Sequence, residues 1–70
     1  MNTIQLGQLG KKLKEARLAK KMSRSDVAGT FIAHDMLAHI ERGEVAPSLR
    51  TLEYLANVLE VPVHCLIDGG

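Results

Sequence analysis

Two histidines and an acid, His34, Asp35 and His39, lie close together in the segment FIAHDMLAHIERG, residues 31–43. Side chains of these types bind metal ions, transfer protons or hydrogen-bond to nucleic-acid bases. The histidines are five residues apart, which misses the i, i+4 spacing of histidine pairs that bind a metal on a helix. The segment alone therefore predicts no metal site.

The other histidine and cysteine of interest, His64 and Cys65, are adjacent and do not supply a second pair of ligands. We expect no metal and no other cofactor. The sequence shows no Cys and His spaced as a catalytic nucleophile and its base, and no glycine-rich phosphate loop. A chain of this size also has little volume for a substrate cavity, so we do not expect an enzyme. We expect His64 at the surface and Cys65 as a small core side chain.

The length of the chain fits one small domain, residues 1–70, whose stability is marginal at this size. A single cysteine fits a reducing compartment. No apolar run approaches the roughly 20 residues of a membrane span, and early lysines interrupt any signal-peptide core. We expect a cytoplasmic protein without membrane contact.

Charge is distributed unevenly along the chain. Residues 1–24 contain seven basic residues and one acid, whereas residues 25–70 contain two basic residues and seven acids. A basic end on a small domain is either a surface that faces phosphates or a solvated helix face. Charge alone leaves both interpretations open.

Apolar spacing and capping signals predict five short helices and no strand. The first is capped by Asn2 or Thr3, ends near residue 20 or 21, and carries an apolar stripe: Leu6, Leu9, Leu13 and Ala16. Ser23 and Asp26 form a capping box, so the second helix begins at Arg24. Gly29 ends it by residue 30 or 31.

The third helix covers residues 34–42, with Gly43 directly after it. Its apolar stripe consists of Ile32, Met36, Leu37 and Ile40. Ser48 caps the fourth helix, whose stripe is Leu49, Leu52, Leu55, Ala56 and Leu59. Pro62 suits the first turn of the fifth, which carries Val63, Leu66 and Ile67.

These stripes predict the core. Its expected members are Leu9, Leu13, Val27, Ile32, Leu37, Ile40, Leu52, Leu55 and Leu59. A second set fits either the core or a dimer contact: Leu49, Tyr54, Val58, Val61 and Val63. The second and third helices are separated by only two or three residues, which is typical of a helix-turn-helix. A third helix with one buried side and one polar side fits the major groove of DNA.

The segment from Leu9 to Ile67, and HIERGEVAPSLRTLEYLANVLEVP above all, resembles the Cro/C1-type (XRE) helix-turn-helix domain of phage repressors and bacterial regulators. AGTFIAHDMLAHIERG is similar to a subgroup with the shortened turn of PlcR-like regulators. The resemblance implies an all-α, five-helix, lambda-repressor-like domain. It also implies double-stranded DNA as the partner, with a homodimer reading a pseudo-palindromic operator.

The resemblance assigns roles to individual residues. It places the base-contacting side chains at five positions of the third helix and its start: Ala33, His34, Asp35, Ala38 and His39. It places phosphate contacts at Ser23, Arg24, Arg42 and Gly43, the last through the amides that follow it. Arg17 and Glu41 match a partly buried salt bridge between the first and third helices.

Several positions depart from the family pattern. Relatives mostly carry Gln, Arg or Asn where this chain has His34, Asp35 and His39. Relatives usually have Ser or Thr where Ala33 stands, so the third helix lacks its usual cap, at a cost of about 1 kcal/mol. Glu60 stands where relatives often have glycine.

Taken with the helix-turn-helix, the resemblance predicts a transcriptional regulator that reads the major groove with residues 34–42. The alternative is a protein-interaction module, such as an antitoxin or adaptor with the same fold.

Overall fold

The computed structural model describes residues 6–67, with nothing said of the Leu6 side chain. Within that range the chain forms five helices and no strand: α1 (Leu6–Ala19), α2 (Arg24–Ala28), α3 (His34–Glu41), α4 (Leu49–Leu59) and α5 (Val63–Ile67). This confirms the all-α, five-helix fold. The expected cap at Asn2 or Thr3 lies outside the described residues. None of the described helices is long and apolar enough to cross a membrane.

Side chains cap α2 and α4, as the sequence predicted. Ser23 Oγ accepts from the Asp26 amide at 3.0 Å, and the Asp26 carboxylate accepts from the Ser23 amide at 3.0 Å. At α4, Ser48 Oγ accepts from the Thr51 amide at 3.2 Å. Because each bond satisfies an amide that lacks a partner within the helix, these residues fix where α2 and α4 begin.

Three helices end in the same type of turn, in which one residue adopts a left-handed conformation. These residues are Lys21 after α1 (φ 58°), Gly43 after α3 (φ 75°) and Glu60 after α4 (φ 60°). In each turn the amide of the next residue donates five residues back along the chain, for example from Val61 to the Ala56 carbonyl at 3.0 Å. The fourth helix therefore ends at Leu59, with Glu60 instead of a glycine in the left-handed position.

The core lies between α1, α3, α4 and the inner sides of α2 and α5. Its buried members are Leu9, Leu13, Val27, Ala28, Leu37, Ile40, Leu52, Leu55, Ala56, Leu59 and Leu66. Every predicted core residue is among them except Ile32, which is half-buried at the edge of the core, while Ala28, Ala56 and Leu66 are additions to the prediction. Of the set left open, Leu49 is 67% exposed and the other members pack partly against the core.

Two further expectations about burial are wrong. Met36 is 41% exposed, because it borders an apolar groove between α3 and the start of α4 instead of facing the core. Cys65 is exposed, because α5 is short and turns Leu66 inward. His64 is exposed, as expected.

The turn between α2 and α3 is longer than predicted. Gly29 adopts φ 54° and ends α2 after Ala28, so residues 29–33 separate the two helices. The Tyr54 hydroxyl contacts the carbonyl oxygens of Val27 at 2.8 Å and Ala28 at 3.1 Å, and its ring stacks on Phe31 at 4.2 Å between centroids. A side chain of α4 therefore fixes the end of α2 and the start of the turn.

Candidate nucleic-acid interface

The inner side of α3 is held against α1. A Cβ atom added at Gly10 of α1 would lie 2.5 Å from the carbonyl oxygen of Ile40 and closer still to that of Glu41. No side chain fits there, so the two helices approach each other through their backbones. This close contact, with α2 packed on another side, determines which side of α3 faces outward.

A buried carboxylate joins three helices at the same place. Glu41, whose side chain is only 2% exposed, accepts two bonds from Arg17, at 2.7 and 3.1 Å, and one from Arg24 Nε at 3.0 Å. Arg17 also donates to the Met22 carbonyl at 3.0 Å. The ion pair between Arg17 and Glu41 is thus present, while the bond from Arg24 is an addition that the sequence did not indicate. Two guanidinium groups therefore share one buried carboxylate close to the start of α2.

The outer side of α3 carries polar side chains that are accessible. The exposed fractions of the side chains are 54% for His34, 94% for Asp35, 46% for His39 and 55% for Arg42. Asp35, His39 and Arg42 follow the i, i+4, i+7 spacing of one helix face. His34 lies beside them, with its Nδ1 3.5 Å from the Asp35 carboxylate.

Glu44, which the sequence did not single out, lies among these side chains. Its Oε1 is 2.6 Å from His39 Nδ1 and its Oε2 is 3.3 Å from Arg42 Nε. The hydrogen bond from His39, together with the positive charge of Arg42, lowers the pKa of the Glu44 carboxyl below its usual value. The acid is therefore ionised at neutral pH, and it holds two side chains that were expected to contact DNA.

The start of α3 lacks a side-chain cap, as expected. Ala33 is the N-cap residue, with an extended backbone and no side-chain hydrogen bond to the helix. It is exposed at the edge of the outer face. Ala38, by contrast, is buried, with 9% of its surface exposed, so it offers little surface for the base contact that the resemblance assigns to it. The reason is that α3 packs against both α1 and α2, which makes its buried side wider than the apolar stripe predicts.

The amides that follow α3 are also engaged. The Gly43 amide donates to the Ile40 carbonyl at 3.0 Å, and the Glu44 amide donates to the His39 carbonyl at 3.0 Å. The Glu44 amide, which follows Gly43 and was expected to hold a phosphate, therefore forms part of the C-terminal turn of α3 in the free protein. Arg42 remains exposed at this end.

The start of α2 is organised by the capping box. Ser23 and Asp26 are both exposed. Hydrogen bonds from the backbone and then the side chain of Ser23 hold the pKa of Asp26 below its usual value. Arg24 follows directly, with its side chain 34% exposed. Among the described residues, no group of three or more histidine, cysteine or acidic side chains is arranged to hold a metal ion.

The order of the helices, with a short α2, a turn and an anchored α3, defines a lambda-repressor-like helix-turn-helix domain. The chain belongs to the helix-turn-helix family HTH_3, whose sequence pattern matches residues 13–64. This confirms the resemblance to the Cro/C1-type domain.

Individual relatives agree with that assignment. The HTH-type transcriptional regulator DdrOP3 of Deinococcus deserti is 36% identical over 63 residues, which cover 89% of this chain and 49% of the relative. The chain thus spans about half the length of this curated relative.

Two solved structures illustrate the likeness of the fold. The restriction-modification controller protein C.AhdI from Aeromonas hydrophila superposes with a TM-score of 0.83 at 29% identity, covering 87% of this chain and 94% of that one. PlcR from Bacillus thuringiensis, in a complex with the peptide PapR7 and DNA, gives 0.85 at 21% identity, covering 91% and 24%. The second likeness concerns the fold alone.

Proposed function

We propose that the chain is the DNA-binding domain of a bacterial or phage transcriptional regulator, with residues 1–70 forming one domain and residues 34–42 lying in the major groove. The observation that carries this proposal is the asymmetry of α3. Its inner side is fixed by Gly10 and by the buried Glu41, whereas its outer side presents accessible polar groups. A helix held in this way can enter the groove without deforming the domain.

Four residues are proposed to contact bases. His34 and His39 offer ring nitrogens to the base edges, and Asp35 can accept from a cytosine amino group. Ala33, exposed before the first turn of α3, can contact a thymine methyl group. The Asp35 carboxylate repels the phosphates, and only a hydrogen bond from a cytosine amino group would offset that repulsion. We therefore expect Asp35 to contribute more to specificity than to affinity.

Phosphate contacts are proposed for Ser23, Arg24 and Arg42. Arg24 uses Nε for Glu41 and retains its terminal amino groups for a phosphate. The lysines of α1 and of the turn after it add attraction that does not depend on sequence.

We propose that two copies bind a pseudo-palindromic operator, since a domain of this size gains affinity by reading two half-sites about one helical turn apart. We also propose that the protein is cytoplasmic, because a transcriptional regulator acts where the DNA of the bacterial cell lies. The description of DdrOP3 as a transcriptional regulator supports this function.

The proposal is tested by selecting bound sites from a random pool of double-stranded DNA at moderate salt, and then titrating salt with the selected site. We expect a symmetric motif and an affinity that falls steeply as salt rises, because bound phosphates release counterions. His64→Ala serves as a control, since His64 is exposed on α5 and away from α3 in the sequence. No enriched motif, or an affinity indifferent to salt, would favour the protein-interaction alternative.

A further inference from the structure

The contact between Glu44 and His39 determines which ring nitrogen of the histidine carries a proton. An ionised carboxylate only accepts hydrogen bonds, so at 2.6 Å from Glu44 Oε1 the Nδ1 atom must be the donor. Arg42 Nη2 is 3.4 Å from the same nitrogen, but it also only donates and does not pair with a protonated Nδ1. The neutral ring therefore keeps its lone pair on Nε2.

The Nε2 atom is available to a ligand. Within residues 6–67, the hydrogen bonds of the His39 ring involve Nδ1 and none involves Nε2. The His39 side chain is 46% exposed on the outer side of α3. A neutral His39 thus presents an acceptor, and no donor, to whatever lies against this face.

We infer that Glu44 is a specificity-determining positioning residue, which makes neutral His39 read a base that offers an amino group. This inference rests on the proposed function. In the major groove, adenine N6 and cytosine N4 offer hydrogen-bond donors, whereas guanine N7 and O6 and thymine O4 are acceptors. The base opposite His39 is therefore adenine or cytosine on the contacted strand.

Glu44 is expected to increase specificity but to weaken the affinity for DNA. Its negative charge lies beside Arg42, 3.3 Å from that guanidinium, on the side proposed to approach phosphates. Removing the acid frees Arg42 and removes a repulsion, so binding to DNA of any sequence strengthens. If Glu44 had only a structural role, its removal would lower affinity and specificity together. A gain in affinity with a loss of specificity therefore indicates a positioning role instead of a structural one.

The first experiment uses the free protein and no DNA. Long-range 1H–15N correlation spectra at pH 8 report which imidazole nitrogen carries the proton, with His64 as an internal control. In Glu44→Gln we expect both tautomers, because the glutamine amide can accept from Nδ1 or donate to it. In the wild type we expect the proton of His39 on Nδ1. In Glu44→Ala we expect it to move largely to Nε2, the tautomer that free imidazole side chains favour in water. A wild-type proton mainly on Nε2 overturns the inference.

The second experiment repeats the selection from random DNA at pH 8 with the wild type, Glu44→Gln and Glu44→Ala. At the base position that His39→Ala relaxes, we expect the wild type to prefer adenine or cytosine by about fivefold or more, and Glu44→Gln to show a smaller preference. Glu44→Ala loses that preference while binding bulk DNA more tightly. A preference for guanine or thymine in the wild type, or an unchanged preference in Glu44→Ala, overturns the inference.

The two experiments separate the inference from the function on which it rests. If the wild type binds no DNA, the proposed function fails and the groove contact fails with it, whatever the tautomer. If DNA is bound but the proton is not on Nδ1, only the role of Glu44 fails. Glu44 and His39 are both half-exposed in their side chains, so the variants are expected to fold, which circular dichroism checks.

Discussion

Gly10 of α1 and Ile40 of α3 meet backbone to backbone, with space for a hydrogen atom and none for a side chain: a Cβ at Gly10 would lie 2.5 Å from the Ile40 carbonyl oxygen. The contact fixes the distance between the two helices at the place where Glu41 also joins them. The orientation of the outer face of α3 therefore depends on a residue without a side chain.

Gly10→Ala is expected to destabilise the domain by about 1–3 kcal/mol, because the added methyl group meets backbone atoms that cannot rotate away. Urea unfolding followed by circular dichroism measures the change. Gly7→Ala is the matched control on the same helix. A Cβ at Gly7 has nothing within 4 Å, so this substitution is expected to raise stability by up to about 1 kcal/mol. Equal effects of the two variants would contradict the close packing.

Glu41→Ala is expected to cost about 3–5 kcal/mol, because it leaves the buried guanidinium of Arg17 without its partner. Thermal and urea unfolding measure the loss. The exposed ion pair between Lys20 and Glu60, at 2.9 Å, provides the comparison. Lys20→Ala is expected to change stability little, since solvent screens such pairs. A Glu41→Ala variant as stable as Lys20→Ala would show that the buried pair contributes nothing.

Ala33→Ser is expected to stabilise the domain by about 1 kcal/mol. The backbone at this N-cap position is already extended, with φ −70° and ψ 144°, and a hydroxyl there can accept from an amide of the first turn of α3. Ala46→Ser, in the exposed loop before α4, is the control and is expected to be neutral. The free energy of unfolding in urea distinguishes them, and no gain at position 33 would argue against a missing cap.

Asp26 is expected to make stability depend on pH in the acid range. Its pKa is lowered in the folded protein by the hydrogen bonds from Ser23, so its contribution is present above the unfolded value of about 3.9 and is lost as pH falls through the folded value. Asp26→Asn keeps an acceptor but does not titrate. The stability difference between wild type and Asp26→Asn should therefore shrink between pH 5 and 2.

Urea unfolding at a series of pH values measures that difference. Glu53→Gln is the control, because Glu53 is exposed on α4 and has no hydrogen bond or ion pair to other described residues. A difference between wild type and Asp26→Asn that stays constant with pH would indicate that the capping box does not bind the ionised form preferentially.

Arg24→Ala and His39→Ala are expected to impair DNA binding in different ways. Arg24→Ala should weaken binding to all sequences and reduce the slope of log affinity against log salt by about 1. His39→Ala should relax the preference at particular base positions and leave the slope nearly unchanged. Fluorescence anisotropy with selected and scrambled duplexes measures both. Arg24 also bonds to Glu41, so unfolding curves must first show that the variant is folded. The same loss of sequence preference in both variants would contradict these roles.

Interactions between residues close in the sequence could be predicted, and those between distant residues could not be predicted from the local pattern. The capping box of Ser23 and Asp26 spans three residues and is readable directly. The pairing of Arg17 with Glu41 spans 24 residues, and only the family resemblance implied it. The burial of Ala38 was not predicted, because it depends on α2 and α1 packing on α3 together, which no periodicity within α3 reveals.

Two other residues had no local signal. A glycine inside a helix indicates only that the helix is less stable there, so nothing local placed Gly10 against a neighbouring backbone. Glu44 follows α3 in a loop, and its contact with His39 depends on the left-handed turn at Gly43 that returns the chain toward the helix. For such residues, the tertiary arrangement has to be known before the role can be stated.

Tyr54 is the only tyrosine of a chain that has one phenylalanine and no tryptophan. Its ring stacks on Phe31 with 7° between the planes, and its hydroxyl lies against the end of α2. The near-ultraviolet dichroism of the protein at tyrosine wavelengths therefore arises from one ring at the junction of α2, the turn and α4. Any rearrangement of that junction when a ligand binds would be visible without a label.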